Sequence, residues 1–324
     1  MKNLIMSTIL KQAKIVFMGT PDFGASVLNS LIKKSNVIAV VTQPDKKVGR
    51  DQILTASPIK KLALQQNIEV LQPERIKGNA EFVKRLKDLQ ADLIVVVAYG
   101  LILPKEVIEL PKFGVVNVHA SLLPKYRGAS PIQAAILNGD KKTGVTIMLI
   151  DEQLDHGPIL SQKDLKISKT ETFETLHDKL AVLGANLLIK TLPDYLDGRV
   201  KSQEQDHSLA TFCKRITKIE GKIDWSKSGQ EIERMVRAFY PWPGAWTTWN
   251  NKNLKILAAS ADTFDRLSMT ASAVGEVLEV KGGIAVACGK DALEILELQL
   301  EGKKPMVAKE FLNGYPEIVG SILK

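Results

Sequence analysis

The sequence has 324 residues, of which 45% are hydrophobic and 25% are charged, so it is a globular chain long enough for two domains. A net charge of +8 favours a polyanionic partner, and the absence of any apolar run near ~20 residues argues against a membrane-spanning helix. Two cysteines without CxxC spacing and four scattered histidines argue against a disulfide scaffold and against a metal site.

Residues 1–13 lack the cleavage pattern of a signal peptide and are predicted to be a short tail, although their lack of acidic residues also permits an organelle transit peptide. We expect a cytoplasmic protein of bacterial type. Residues 14–200 then alternate between strand and helix patterns. Strands are predicted at 14–18, 37–42, 92–98, 115–119 and 144–150, and helices at 23–34, 57–66, 80–90, 130–137 and 170–196. The alternation predicts an α/β domain with a parallel-rich, doubly wound, Rossmann-like sheet and a site at the carboxyl ends of the strands.

A polar stretch at 201–209 is predicted to be a linker to a second domain at 210–324. After a helix at 231–239, short strand patterns follow at 245–249, 254–260, 274–280, 284–288 and 293–300, separated by turns rich in Asn and Gly. Closely spaced short strands of this kind are typical of a small β-barrel, and we predict an OB-like one.

Three polar residues stand where chemistry is expected in such a sheet. Asn117 and His119 alternate on the strand 115–119, so both side chains point to one face. Asp155 follows Asn117 after 38 residues, in the Gly-flanked turn L-D-H-G. An amide, an imidazole and a carboxylate together supply acid/base chemistry and oxyanion stabilisation.

Basic residues form two further candidate groups. The loop 42–50 contains Lys46, Lys47 and Arg50, and phosphate contact competes there with a solvated surface loop. The second domain contributes Lys214, Lys218 and Lys222, which are either a nucleic-acid-facing patch or solvated charges. The aromatic run R-A-F-Y-P-W-P-G-A-W at 237–246 favours hydrophobic packing over base stacking.

With these residues considered, the chain resembles the methionyl-tRNA formyltransferases over nearly its whole length. The resemblance rests on F-M-G-T-P-D-F-G, V-T-Q-P-D, V-V-V-A-Y-G-L-I-L-P, N-V-H-A-S-L-L-P-K-Y-R-G-A-S-P-I-Q, T-G-V-T-I-M, L-D-H-G, I-D-W and F-Y-P-W-P. The Asn–His–Asp set is shared by all formyltransferases of this fold that use formyltetrahydrofolate. The segments V-A-Y-G-L-I-L-P, T-Q-P-D, I-D-W and P-W-P narrow the resemblance to the tRNA enzymes.

The resemblance implies a formyl transfer from 10-formyltetrahydrofolate to the α-amino group of methionyl initiator tRNA, in translation initiation. Asn117 would donate to the oxyanion, His119 would stabilise it and shuttle a proton, and Asp155 would orient His119 and accept the proton. The folate would be held by two segments and one loop, through Tyr99, Leu101, Ile102, Leu103, Ser121, Leu122, Leu123, Pro124, Ile150 and Leu154. The tRNA would meet the basic residues named above. The resemblance implies no metal, and we expect a monomer.

The chain departs from the family pattern after Arg50, where Asp51-Gln52-Ile53 replace the glycine and lysines of many members. Two alternative functions remain open on the sequence. One is a formyltransferase that acts on a small amine, such as an amino sugar nucleotide, and the I-D-W and P-W-P segments argue against it. The other is a non-catalytic RNA-binding protein, against which the intact Asn–His–Asp set argues. The absence of G-x-G-x-x-G argues against a nicotinamide oxidoreductase.

Overall fold

The computed structural model describes residues 8–49, 51–261 and 273–324. The chain divides into two compact units. Unit 1 contains Met1–Pro131, Lys142–Lys166 and His177–Cys213, and unit 2 contains Ile132–Lys141, Ile167–Leu176 and Lys214–Lys324. The predicted bounds of the tail, the two domains and the linker stay predictions, although the stretch 201–209 lies within unit 1.

Unit 1 is built on a seven-stranded sheet with two small accessory sheets. Its strands are β1 (Lys14–Gly19), β2 (Asn36–Val41), β3 (Lys46–Val48), β4 (Ile53–Thr55), β5 (Glu69–Leu71), β6 (Leu93–Val97), β7 (Val115–His119), β8 (Arg127–Gly128), β9 (Lys142–Leu149), β10 (Ile159–Lys166) and β11 (Phe212–Cys213). The main sheet has the order β10-β9-β7-β6-β1-β2-β5.

The main sheet is mostly parallel, as predicted. Strands β7, β6, β1, β2 and β5 pair in parallel, whereas β9 pairs with β7 and with β10 in antiparallel fashion. Every residue of β6 and of β7 is buried, which explains the continuous apolar sequence of β6. One of the two accessory sheets is the parallel pair β8–β11, which joins residues far apart in sequence.

The prediction of a loop at 42–50 is wrong in one respect. Residues Lys46–Val48 form β3, which pairs with β4 as an antiparallel hairpin. All three residues of β3 are exposed, and β4 begins with the exposed Ile53 and Leu54. A two-stranded ribbon with no face to bury lacks the apolar alternation from which strands are predicted.

The helices between residues 14 and 200 in the described part of the chain are α1 (Asp22–Lys34), α2 (Pro58–Gln65), α3 (Ala80–Asp88), α4 (Lys105–Ile108), α5 (Pro131–Leu137) and α6 (Phe173–Leu196). Side-chain caps fix the starts of two of them. Ser57 accepts a hydrogen bond from Lys60 N at 3.0 Å, and Asn79 accepts one from Phe82 N at 3.0 Å. Among the described helices, none is long and apolar enough to cross a membrane.

Unit 2 holds an antiparallel sheet. From residue 214 onward, its described α-helices and strands are α7 (Gly229–Phe239), β12 (Ala245–Trp249), β13 (Lys252–Ser260), β14 (Val277–Val280), β15 (Gly283–Ala287), β16 (Ala292–Leu300), β17 (Met306–Val307) and α8 (Ala308–Gly314). The sheet order is β12-β13-β16-β15-β14, and β17 pairs with β16. The predicted antiparallel domain is confirmed, and its closure into an OB-like barrel stays a prediction.

In unit 2, the turn between β12 and β13 and the start of α7 each follow from local residue preferences. Asn250 and Asn251 adopt φ of 47° and 60° between β12 and β13, as a tight hairpin requires. Ser228 and Glu231 form a reciprocal capping box at the start of α7. The helix therefore begins two residues before its predicted start at 231.

Candidate active site

Strand β7 carries two of the candidate catalytic residues. Asn117 and His119 are both buried, and their alternation points them to the same face of the sheet. Strand β7 lies between β6 and β9, so its side chains are held by pairing on both edges. The positions of the amide and the imidazole are therefore set by the middle of the main sheet.

Asp155 reaches both residues from the loop between β9 and β10. Its Oδ1 lies 3.5 Å from Asn117 Nδ2 and 3.6 Å from His119 Nδ1. Its Oδ2 accepts a hydrogen bond of 2.8 Å from the backbone N–H of Gly128. The structure thus brings the three predicted catalytic residues together, with the carboxylate between the amide and the imidazole.

The other nitrogen of His119 is held by the backbone. His119 Nε2 lies 2.9 Å from the carbonyl oxygen of Tyr126. Because a carbonyl only accepts, Nε2 must carry the hydrogen, and the nitrogen that can gain or lose a proton is Nδ1. Nδ1 is also the nitrogen that faces Asp155, 3.6 Å from its Oδ1.

The segment 126–128 supplies two backbone groups that the sequence did not identify. Tyr126 adopts φ of 62° and Gly128 φ of 114°. A Cβ at Gly128 would lie 2.2 Å from the carbonyl oxygen of Cys213, so only glycine fits where β8 meets β11. This close pairing places the Gly128 N–H against Asp155. The glycine of the K-Y-R-G motif could have indicated an unusual backbone conformation here. Only the fold shows that the motif places the Tyr126 carbonyl against His119 and the Gly128 N–H against Asp155.

The predicted folate residues after β7 are largely engaged within the protein. Ser121 Oγ donates to the carbonyl of Lys125 at 2.6 Å, and Leu123 N donates to Thr146 Oγ1 at 3.1 Å. The carbonyl of Leu123 accepts a bond from Gln162 Nε2 at 2.7 Å. These contacts hold the turn after His119 in shape. The side chains of Leu122 and Pro124 are partly exposed and remain available to a ligand.

The segment after β6 divides into buried and exposed residues. Burial raises the pKa of the Tyr99 phenol to about 12, and among the described contacts its hydroxyl has no hydrogen-bond partner. The Tyr99 carbonyl accepts from Gln43 Nε2 at 2.9 Å and from Thr20 Oγ1 at 3.2 Å. Tyr99 and Leu103 belong to one hydrophobic cluster, against which Ile150 packs. A folate contact through the Tyr99 carbonyl would have to displace one of its present donors.

Three apolar side chains of the predicted folate site point to solvent. Ile102 is 84% exposed and Leu154 is 60% exposed, and Leu101 is exposed to a smaller degree. Exposed large apolar side chains that gather on one surface are a feature of ligand-binding sites.

Comparison with known families identifies the chain. The pattern of the formyl transferase family matches residues 13–192, and that of the formyl transferase C-terminal domain matches residues 215–316. A methionyl-tRNA formyltransferase of Caldanaerobacter subterraneus subsp. tengcongensis is 46% identical over 313 residues, which are 96% of this chain and 100% of that protein. The chain belongs to the methionyl-tRNA formyltransferase family. It is therefore a formyl transferase enzyme, and neither the RNA-binding alternative without catalysis nor the oxidoreductase agrees with this finding.

A second relative gives the same result. A methionyl-tRNA formyltransferase of Staphylococcus aureus (strain bovine RF122 / ET3-1) is 44% identical over 308 residues, covering 94% of this chain and 97% of that protein. The matches extend over both units, so the similarity includes the C-terminal part of the chain as well as the candidate site.

Solved structures with the same fold include formyltransferases of a different kind. WlaRD, a sugar 3N-formyl transferase in the presence of dTDP and 5-N-formyl-THF, has a TM-score of 0.63 at 21% identity, with 90% of this chain and 99% of that chain covered. An N-formyltransferase from Helicobacter canadensis, in complex with folinic acid and dTDP-3-aminofucose, has a TM-score of 0.62 at 21% identity and covers 87% and 99%. At such low identity these structures support the fold alone.

The predicted tRNA-binding residues occur in both units. Lys46 and Lys47 are exposed on β3, and Lys46 Nζ donates to Gln43 Oε1 at 2.5 Å. Lys214 pairs with Glu220 at 2.8 Å, while Lys218 and Lys222 are exposed at the two ends of a short 3₁₀ helix. Arg50 lies outside the described residues.

The last polar features concern the metal-ligating side chains and the two cysteines of the described part of the chain. Within residues 8–49, 51–261 and 273–324, no group of three His, Cys, Asp or Glu side chains could hold a metal ion. Cys213 and Cys288 are free thiols, and burial raises the pKa of Cys288 to about 12.

Proposed function

We propose that the enzyme transfers the formyl group of 10-formyltetrahydrofolate to the α-amino group of methionine on initiator tRNA, as part of translation initiation. The observation that carries the chemistry is the contact of one Asp155 oxygen with both Asn117 and His119. The acceptor is inferred from the relatives named methionyl-tRNA formyltransferase, which align with nearly the whole chain. We also expect a monomeric, cytoplasmic enzyme.

The reaction begins when the neutral amine attacks the formyl carbon. The new N–C bond converts the planar formyl group into a tetrahedral oxyanion, which is stabilised by donors placed in advance. Asn117 Nδ2 carries two hydrogens, of which one faces Asp155 at 3.5 Å. The second hydrogen is available to the oxyanion, and the contact with Asp155 keeps the amide from rotating.

His119 and Asp155 handle the proton. The attacking nitrogen becomes an ammonium, and its proton passes to Asp155 directly or through water, because an esterified α-amino group is a weaker base than a free amine. His119 Nδ1 faces the same carboxylate, takes the proton from Asp155 and passes it to N10 as the C–N10 bond breaks, so both side chains return to their starting states. The products are the formylated amine and tetrahydrofolate, so atoms and charge balance without a metal or a covalent enzyme intermediate.

The folate donor is assigned to the segments that follow β6 and β7 and to the loop after β9. The apolar side chains of Leu101, Ile102 and Leu154 suit the flat faces of a pterin, and we expect backbone groups of the same segments to hydrogen-bond to its edge. Leu122 and Pro124 complete the proposed surface, since their side chains remain partly exposed.

A substitution of Lys47 tests the proposed contact of the β3–β4 hairpin with tRNA. We expect Lys47→Gln to weaken tRNA binding and to reduce the slope of log Kd against log salt concentration by about 1, because one phosphate contact is lost. The measurement is filter binding of methionyl initiator tRNA between about 50 and 200 mM salt. Lys34→Gln, which removes another exposed charge, at the end of α1, is the control and should leave the slope unchanged. Equal slopes for both variants would remove Lys47 from the phosphate contacts.

The proposed acceptor is tested by direct competition between amines. The protein is given 10-formyltetrahydrofolate with methionyl initiator tRNA, with methionyl elongator tRNA, or with a dTDP-linked amino sugar. We expect kcat/KM above about 10⁴ M⁻¹s⁻¹ for the initiator tRNA and far lower values for the other two. Asp155→Ala, assayed in parallel, should abolish most of the transfer and so ties the activity to this site. Preferential formylation of the amino sugar would overturn the proposed acceptor.

A further inference from the structure

The polar stretch at 201–209 is folded against the candidate site. Gln203 exchanges both backbone hydrogen bonds with Ile159, at 2.7 and 2.8 Å, beside the start of β10. Two residues later the chain turns Gln205 inward, where only 5% of its surface is exposed. A nearly buried glutamine in a stretch of exposed polar residues requires hydrogen-bond partners inside the protein.

Gln205 bonds to the backbone of the loop that carries Asp155. Its Nε2 donates to the carbonyl oxygen of Asp155 at 2.9 Å and to that of Gly157 at 2.7 Å. Its Oε1 accepts from Arg127 Nε at 3.2 Å and from the same guanidinium at 2.7 Å. All four hydrogen-bonding positions of the amide are therefore used, so its orientation is fixed.

A second set of contacts surrounds the first. Arg127 is 4% exposed, and its guanidinium also donates to His207 Nδ1 at 2.7 Å. The His207 ring stacks on His156 with centroids 4.0 Å apart and an angle of 7° between the planes. His156 Nδ1 in turn donates to Asp151 Oδ2 at 2.6 Å. The stretch 205–207 thus contacts the Asp155 loop through both an amide and a ring.

The Asp155 backbone needs such support. Asp155 has φ of 49°, a left-handed conformation that is uncommon for residues other than glycine, although Asn and Asp adopt it more often than most, and the surrounding contacts stabilise it. We propose that Gln205 is a positioning residue that holds Asp155 at the distance where it serves His119 and Asn117. This inference rests on the role of Asp155 in the proposed function. Gly128 N–H fixes the carboxylate, and Gln205 fixes the backbone behind it.

The test removes the amide of Gln205 without removing its bulk. We expect Gln205→Met to lower kcat by about 10- to 100-fold, because displacement of a catalytic group by about 1 Å costs up to about 10²-fold in rate. The KM values for folate and tRNA should stay within about 2- to 3-fold of wild type, because Gln205 contacts the loop and not the substrates. The matched control is Gln203→Met, in the same segment, whose side chain is exposed and whose backbone makes the pairing; it should retain wild-type kcat.

A double-variant cycle separates positioning of Asp155 from a general structural role. In an Asp155→Asn background, Gln205→Met should cost no more than about 3-fold further in single-turnover rate, because the group that it positions is already disabled. A full additional loss in that background would overturn the proposal. Gln205→Glu retains the acceptor for Arg127 but loses both donors, so it should be as slow as Gln205→Met. Wild-type turnover by Gln205→Glu would assign the effect to Arg127 and overturn the proposal as well.

The positioning role of Gln205 can be tested even if the acceptor is not methionyl-tRNA. The rate ratios are measured with whichever amine the wild-type enzyme formylates, since Gln205 acts on Asp155 and not on the acceptor. Wild-type activity on an amino sugar alone would overturn the proposed acceptor, whereas wild-type kcat in Gln205→Met would overturn the positioning role alone. Near-UV circular dichroism and thermal unfolding establish that each variant is folded.

Discussion

Replacement of His119 by alanine is expected to lower kcat by about 10²–10⁴-fold while tRNA affinity stays near that of the wild type. The imidazole has one nitrogen anchored on the Tyr126 carbonyl and the other 3.6 Å from Asp155. Alanine removes the group that delivers a proton to the leaving nitrogen and leaves the carboxylate without its partner. The lysines proposed to contact tRNA are unaffected, so binding and chemistry should separate.

The measurement is a pair of experiments on the same preparation: single-turnover formyl transfer at saturating folate, and filter binding of methionyl initiator tRNA. His177→Ala is the matched control, because that histidine also faces a carboxylate, Asp178 at 2.9 Å, but is on α6. It should retain wild-type turnover. A large loss of tRNA affinity in His119→Ala, with little change in the single-turnover rate, would contradict the catalytic role.

The trio itself could be predicted from the sequence because its geometry follows from two simple rules. Alternation places Asn117 and His119 on one face of β7, and the continuous apolar run of the neighbouring strand β6 is typical of strands buried inside a mostly parallel sheet. Asp155 required one further inference, that a Gly-flanked turn after the next strand returns to the same face. The structure places its Oδ1 within 3.6 Å of both partners. The catalytic roles themselves stay predictions.

What the sequence could not provide are contacts between residues distant in the chain. Gln205 lies 50 residues from Asp155 and 78 from Arg127 along the chain. The composition of a polar segment does not show whether its side chains are solvated or hydrogen-bonded in the interior. The stretch 201–209 therefore resembled a linker. Tyr126 illustrates the same limit, because its contribution is a carbonyl, and backbone groups carry no residue identity.

Composition also hid the β3–β4 hairpin. Lys46, Lys47 and Gly49 dominate the first half and are typical of a loop, while the exposed Ile53 and Leu54 follow in the second. An isolated two-stranded ribbon is marginally stable in water. Ile53 and Leu54 are exposed, so burial in a core does not explain why these two residues are apolar. Cationic and apolar side chains on one exposed ribbon are consistent with the proposed contact with tRNA, where phosphates and base faces are both available.

Asn117→Ala is expected to lower kcat and kcat/KM equally, by about 10²–10³-fold, corresponding to about 3–4 kcal/mol of lost transition-state stabilisation. The amide donates to an oxygen that becomes negative only after the amine has attacked. Removal of the donor therefore leaves substrate binding near wild type and destabilises the transition state alone. Steady-state kinetics with both substrates varied, together with the Kd of the folate, provide the measurement.

Two features make this outcome distinguishable from a structural effect. The Asn117 side chain contacts Asp155 at 3.5 Å, a long hydrogen bond, so its loss should change the free energy of unfolding by no more than about 1–2 kcal/mol. A raised KM with unchanged kcat would instead show that the amide binds substrate and transition state equally, and would remove it from the oxyanion. The single long bond to Asp155 also predicts that Asn117→Ala leaves the His119–Asp155 pair in place. The variant should then retain the pH dependence of the wild-type rate while lowering it at every pH.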